Sequence, residues 1–350
     1  MHPKNQVAVL ALRQFGRCLL AAPLRATARL FVPPLTDSRR YRLNSDASVK
    51  RSTVPVSDEP WVSVLVLTRN EEAHISRCVE SAKKLTPHVF VVDSNSSDNT
   101  VAIATESGAT VTSGDFNRFA DKLNWSLEHI DFPTRWVFRL DADETLTDAL
   151  VMGLRKVIKE AATEVSGVYV RRQLWFMGHW IKYGGMYPTF SMRLWKKGAA
   201  SCESRDLDEH MIMHSGRCIH VDLDVIDNPL SDLSSWISKH NSYSSSEALT
   251  ALNDGDGSTL IKPDLFGDFT ARTRWFKVNI FYRLPLFVRP LLYFVYRYFL
   301  RLGFLDGKIG FVFHFLHGLW YRALVDAKIM ELTQNNMKRK NETKIVARAS

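Results

Sequence analysis

Three carboxylates, Asp141, Asp143 and Glu144, stand within four positions directly after the β-prone run RWVFRL that begins at Arg135. Like charges that close repel, and a carboxylate leaving water is costly unless something compensates it. The cluster is therefore either an exposed turn or a place where a cation is expected. Asp141 and Asp143 lie two residues apart, which on an extended backbone puts both side chains on one side. Hard divalent cations take such oxygen ligands and share them with substrate phosphates. Asp93 closes another apolar run, HVFVVDS (His88–Ser94), where a carboxylate can accept hydrogen bonds from a nucleobase or ribose. The polar residues after it, Ser94 to Thr100, read as a turn with Ser97 or Asp98 capping a helix. That reading leaves Asp93 itself, at the strand end, unexplained.

Residues so placed need a scaffold, and the pattern supplies one. VSVLVLT (Val62–Thr68) is a short continuous apolar run of the kind buried parallel strands show. NEEAHISRCVESAKKL has helical spacing, HVFVVDS is a second strand, and SSDNTVAIATESG begins with capping residues and ends at Gly108. ATVTSG then reads as a strand, FADKLNWSLEHI as a helix, RWVFRLDADE as a strand, TDALVMGLRKVIKEA as a helix and GVYVRRQLWF as a strand. Repeated strand–helix units predict an α/β fold with a mostly parallel, doubly wound sheet. Ligands in such sheets bind at the carboxyl ends of strands. Thr68, Asp93, Asp141 and Asp143 all fall there.

TRNEE (Thr68–Glu72), VVDSNSSDNT (Val91–Thr100), KLNW (Lys122–Trp125) and LDADE (Leu140–Glu144) occur in an order and spacing that resembles family 2 glycosyltransferases. The likeness is to the branch near lipopolysaccharide-core and exopolysaccharide enzymes and covers about residues 61–330. YGGMYPTFSMRLW, DEHM, KHNSYSSSEA and LGFLDGKIG continue it downstream. The resemblance implies a Rossmann-like GT-A fold, a UDP-sugar as nucleotide-sugar donor, and inversion at the anomeric carbon. Carried over position by position, it implies that Thr68, Glu71 and Asp93 contact the nucleoside, with Arg69 and Ser97 beside them. It puts Lys122 near the donor, Asp141 on ribose or metal, and Asp143 on Mg²⁺ or Mn²⁺. It also implies an acidic general base within Asp208-Glu209, Glu209 being favoured over Asp208. The family more commonly has a Glu-Asp pair at this point, so which carboxylate acts is open. His210 reads as structural, or as a metal or phosphate contact. Trp175 and Phe176 suit a sugar-stacking wall and core packing equally, and Arg193 suits a phosphate and an internal carboxylate equally.

The charge of the chain is unevenly distributed. Its net +9 combines a basic segment 1–60 and a basic segment 262–350 with an acidic middle. That asymmetry suggests a catalytic body tethered to an anionic membrane surface. Nucleic acid is not expected, because zinc-finger, RNP and helix-turn-helix signatures are absent. Four scattered cysteines, Cys18, Cys78, Cys202 and Cys218, without a CxxC pair suggest reduced thiols of a cytosolic compartment. No apolar run is long enough to span a bilayer. The expected organisation is a basic extension and linker over 1–59, a GT-A domain over 60–271, an amphipathic membrane-associating helical region over 272–335, and a basic tail over 336–350. In the third of these, Arg289, Arg297 and Arg301 share one side of an aromatic helix, the pattern of snorkelling arginines at an interface; a helical subdomain folded back on the body is the competing reading. The expected location is peripheral, on the cytoplasmic face of the inner or plasma membrane, with a lipid-linked or polysaccharide acceptor.

Rival functions are weighed against this. LDADET matches the DxDxT signature of haloacid-dehalogenase-like phosphatases, with Asn253 to Gly257 mimicking a late acidic motif. Three strands precede LDADET, however, whereas the phosphatase motif ends the first strand. Nucleotidyl transfer lacks a Gly-rich phosphate loop. An inactive nucleotide-sugar-binding scaffold would keep the fold without turnover.

Overall fold

A computed structural model describes residues 40–41, 61–203, 210–253, 264–266 and 269–349. The N-terminal extension therefore lies outside the described residues, except for the two-residue strand β1 (Arg40–Tyr41). The next strand, β2 (Val62–Thr68), has every residue buried, as a strand covered on both faces requires. Its side chains alternate between two cores. Val64 and Val66 pack with Ile75, Val79, Leu150 and Leu154. Leu65 and Leu67 pack with Ala120, Leu123 and Trp195. Thus α1 (Ile75–Lys83) and a later helix cover one face, while the helix containing Ala120 and Leu123 covers the other.

The chain winds outward from β2 through α1 to β3 (Val89–Asp93), and through α2 (Thr100–Glu106) to β4 (Thr110–Ser113). It then returns through α3 (Phe119–His129) to lay β5 (Trp136–Asp141) on the opposite side of β2. All four strands are parallel. The direction of winding reverses between β2 and β5, and that crevice, at the carboxyl ends, is where such sheets bind ligands. In register, Thr68 lies beside Asp93 and Leu67 beside Asp141.

After β5 the chain turns at Ala142 and Asp143, forms β6 (Glu144–Leu146), and enters α4 (Asp148–Glu160). Thr147 caps this helix by accepting from the Leu150 amide. The turn corrects the expectation that Asp141 and Asp143 share one side of an extended backbone. The chain must reverse there, because β6 pairs antiparallel with a distant strand. The rest of the sheet is mixed. β7 (Val165–Phe176), which β8 (His179–Trp180) folds back upon, and β9 (Thr189–Lys196) run antiparallel to each other, and β9 also runs antiparallel to β5. β10 (Ala200–Cys202) and β11 (Met211–Met213) form a separate ribbon. β12 (Arg217–Asp227) runs parallel to β7 and to β1, and pairs with β6. The fold is mixed α/β with a largely parallel sheet, as expected.

Helices follow: α5 (Leu233–Asn253), α6 (Phe269–Asn279), α7 (Val288–Val295) and α8 (Gly307–Phe313). A π-helical stretch, Tyr296–Leu300, extends α7. Another, His314–Trp320, joins α8 to α9 (Tyr321–Ala349), so the backbone has no break where a basic tail was expected to begin. No helix among the described residues is long and apolar enough to cross a membrane.

The orientation of the arginines reverses expectation. Arg289 and Arg297 are buried. Arg289 Nε donates to Asp326 Oδ1 at 2.7 Å, and Arg297 Nε donates to the Gly184 carbonyl at 2.8 Å. Buried acceptors such as these need a donor, so these two guanidinium groups face inward, and Leu291, Leu292, Val295, Phe299 and Leu300 face outward.

Candidate active site

The loops following β2 and β3 hold each other. Ser97 N donates to Asn70 Oδ1 at 2.8 Å, Asn70 N to Ser96 Oγ at 2.8 Å, and Glu71 N to Thr100 Oγ1 at 2.7 Å. Asp93 is fully buried and accepts from Ser96 N at 2.7 Å and from the Ser96 hydroxyl. The local-turn reading, set aside for Asp93 from the sequence, therefore does extend to it. Glu71 lies 2.7 Å from His74 Nδ1, and His74 Nε2 accepts from the Leu230 amide at 2.8 Å. Thr68 Oγ1 is buried without a partner at the mouth of the crevice. Arg69 and Ser97 are exposed on its rim.

Arg193 organises the carboxylate cluster. Its side chain, 1% exposed, comes from β9 and donates to Asp141 Oδ2 at 3.0 Å and to Glu144 Oε1 at 2.5 Å. Of its two expected partners, the internal carboxylate is the one present. The Asp141 amide also donates to Glu144 Oε2 at 3.0 Å. Burial works against a charged Asp141, but Arg139, 3.5 Å away, and Arg193 outweigh it and hold the carboxyl well below its usual range. Burial raises Glu144 to about 8 against the pull of Arg193. Asp227 closes β12 in register with Glu144, and burial raises it to about 6 despite Arg172 at 3.4 Å. Asp227 ends its strand as Asp93 does, a signal that sequence reading passed over.

Asp143 differs from Asp141. Its carbonyl accepts from Arg77 and from the Asn228 amide, which fixes the turn. Its carboxylate has no hydrogen bond among the described residues, and burial, with Asp141 and Glu71 adding, raises its pKa against the opposing charge of Lys239. Lys239, on α5, was also missed in the sequence, where only its segment was singled out.

Through α3 the end of β2 is linked to β10. Lys122 is buried and donates to the Thr68 carbonyl at 3.0 Å. Two residues on, Asn124 Nδ2 donates to the Cys202 carbonyl at 2.9 Å and Asn124 Oδ1 accepts from the Cys202 amide at 2.8 Å. Asp208 and Glu209 lie outside the described residues. The flanking residues are joined, with Glu203 N donating to His210 O at 2.9 Å. Phe176 is buried with Ile181 and Phe313 and belongs to the core. The indole nitrogens of Trp175 and Trp180 are buried without partners.

The donor set suits a divalent cation in part. Among the described residues no group of three or more His, Cys, Asp and Glu side chains forms a complete cage. Asp141 Oδ1 makes no hydrogen bond, with Arg139 Nε 3.5 Å away, and the Asp143 carboxylate makes none among the described residues. Two such oxygens match a Mg²⁺-type ion that takes its remaining ligands from water and phosphate. Asp141, with one oxygen committed to Arg193, is also poorly placed to act as a phosphatase nucleophile.

Residues 63–209 match the profile described as Glycosyl transferase family 2. An uncharacterized glycosyltransferase of Rickettsia conorii is 36% identical over 89 residues, 25% of this chain and 31% of the relative. The match thus spans about a third of that relative's length. The lipopolysaccharide core biosynthesis glycosyltransferase LpsC of Rhizobium meliloti is 25% identical over 291 residues, 77% of this chain and 92% of LpsC. Among solved structures, glucosyl-3-phosphoglycerate synthase from Mycobacterium tuberculosis with Mg²⁺ and uridine-diphosphate overlaps 32% of this chain and 43% of its own, at 23% identity and a TM-score of 0.27.

Proposed function

We propose, from the match of residues 63–209 to the glycosyl transferase family 2 model, that the chain is an inverting, metal-dependent glycosyltransferase. It moves a sugar from a UDP-sugar to a hydroxyl of a lipid-linked or cell-envelope polysaccharide. The observation that carries this reading is the meeting of Thr68, Asp93, Lys122, Asp141 and Asp143 at the reversal point between β2 and β5. The likeness to LpsC along most of its length supports an envelope acceptor.

In this reading the nucleoside lies against Thr68, Glu71 and Asp93, with Arg69 and Ser97 at the rim. Lys122 faces the diphosphate. Asp143, and Asp141 through the oxygen not bonded to Arg193, would hold Mg²⁺ or Mn²⁺, which when bound offsets charge developing on the leaving diphosphate. Glu209 or Asp208 takes the proton from the acceptor hydroxyl as its oxygen bonds to the anomeric carbon and the bond to the UDP oxygen breaks. Asn124 anchors β10, which leads into that segment.

The test is thermal shift with a panel of nucleotides and nucleotide sugars, with and without Mn²⁺, since a ligand of the folded state raises its stability. UDP or a UDP-sugar should raise the melting temperature, more so with Mn²⁺. Asp143→Ala should lose the metal-dependent part and cut transfer by about 10²–10³. Comparing Glu209→Gln with Asp208→Asn assigns the base. Absence of any nucleotide response overturns the donor reading, and unchanged metal dependence in Asp143→Ala overturns the metal assignment.

A further inference from the structure

The hairpin made by α7, its π extension and α8 presents apolar side chains where a water-facing turn would present polar ones. Leu291, Phe299, Leu300 and Leu305 are each about half exposed, at 50–54%, and Leu302 and Phe304 beside them are exposed too. A contiguous apolar patch of this kind marks an interaction surface.

Charge has been withdrawn from the same face. Arg289 is turned onto Asp326 and Arg297 onto Gly184. Asp306, the single acid between Phe269 and Val325, is buried and accepts from the Lys182 and Tyr183 amides at 3.1 and 2.9 Å. Arg283 and Lys308 stay exposed. The surface is therefore apolar, has cations near it and offers no exposed acid.

We propose that this hairpin is a monotopic docking surface for an anionic lipid bilayer, with the turn at 301–306 entering the headgroup–acyl boundary. Thirteen residues of helix, 288–300, measure about 20 Å against about 30 Å of hydrocarbon, so the hairpin is seated in one leaflet and does not span. Apolar side chains in the interface and cations near acidic headgroups are the two terms that hold such elements. A second copy of the chain fits less well, because a symmetric contact places each face against itself. Arg283 and Lys308 would then meet cations with no exposed acid to pair them.

The hairpin is also tied to the catalytic end of the sheet. Gly184 N donates to the Arg301 carbonyl at 2.9 Å. Gly184 has φ +68°, and a Cβ there would lie 2.0 Å from His314, so the loop after β8 lies tight against the hairpin. That loop extends β7, whose Leu174 is in register with Asp227, itself beside Glu144. A lipid-linked acceptor would thus be met at a fixed height above the bilayer. This last point rests on the proposed reaction; the docking surface does not.

The experiment is flotation of the full chain with vesicles of phosphatidylcholine alone or mixed with phosphatidylglycerol, at low and high salt, without donor or acceptor. The protein should float with the mixed vesicles and remain partly bound at high salt, because apolar burial is not screened. Phe304→Glu combined with Leu305→Glu should weaken binding by about 10²-fold or more, with melting temperature and UDP response preserved. Wild-type protein left unbound at low salt overturns the proposal. So does undiminished flotation of the double variant, or a concentration-dependent dimer that the double variant splits while vesicle binding is absent. Because no turnover is read, a failed transfer assay leaves the outcome intact.

Discussion

Burial lowers the Lys122 ammonium to about 8, although Asp93 and Asp141 pull the other way. In the unfolded chain the group titrates near 10.5, so between these values the unfolded state binds more protons. Folding stability from this residue therefore rises with pH across that window, and the cost of burying the charge is fully present below about 8. Donor binding should run in the opposite sense, because the ammonium is needed opposite a diphosphate. UDP affinity measured by calorimetry should weaken as pH rises through about 8. Lys122→Arg keeps its charge throughout and should remove that dependence. A flat wild-type profile would show that Lys122 does not serve the diphosphate.

At the scale of elements, the notable device is one arginine joining three strands. Arg193 on β9 holds Asp141 at the end of β5 and Glu144 at the start of β6, which sets the turn that carries Asp143. Removing one member of a buried charged network costs about 3–5 kcal/mol, because the partners are left uncompensated. Arg193→Met should lose about that much in urea unfolding above pH 8, and the deficit should shrink as pH falls through about 8 and Glu144 takes up its proton. Arg193→Lys should recover only part, since a point charge does not bridge two carboxylates as a planar fork does. A loss within about 1 kcal/mol, the level of a surface pair, would mean the network does not hold the turn.

On the scale of the whole molecule, the C-terminal helices are structural partners of the body. Phe313 packs with Phe176 and Ile181. Tyr321 and Arg322 both bond Glu247 on α5, and Lys328 Nζ donates to the Asn241 carbonyl at 2.7 Å. Truncation from about Arg272 onward should therefore lower the melting temperature and the UDP response together. Exposing Phe176 and Ile181 alone would forfeit about 1.5–3 kcal/mol each, and Glu247 would lose its counter-charge. A truncated chain that melts like the full one would show the helices to be an independent appendage. Point changes on the hairpin turn are accordingly the cleaner probe of membrane docking.

Much of the scaffold follows from local pattern. The apolar run Val62–Thr68 and the alternation of strands with helices determine the elements and their order, because strand and helix periodicities are properties of neighbouring residues. With the order came the crevice, and with it Thr68, Asp93, Asp141 and Asp143 at strand ends. Tertiary structure decided which groups face each other. Arg193 meets Asp141 from 52 positions away, and Arg289 meets Asp326 from 37. Helical spacing shows that arginines share a side, but a cation aimed at a buried carboxylate and one aimed at solvent have the same spacing. The direction is set by which distant acceptor would otherwise lie buried without a donor, and that depends on the packed chain rather than on any local run of residues.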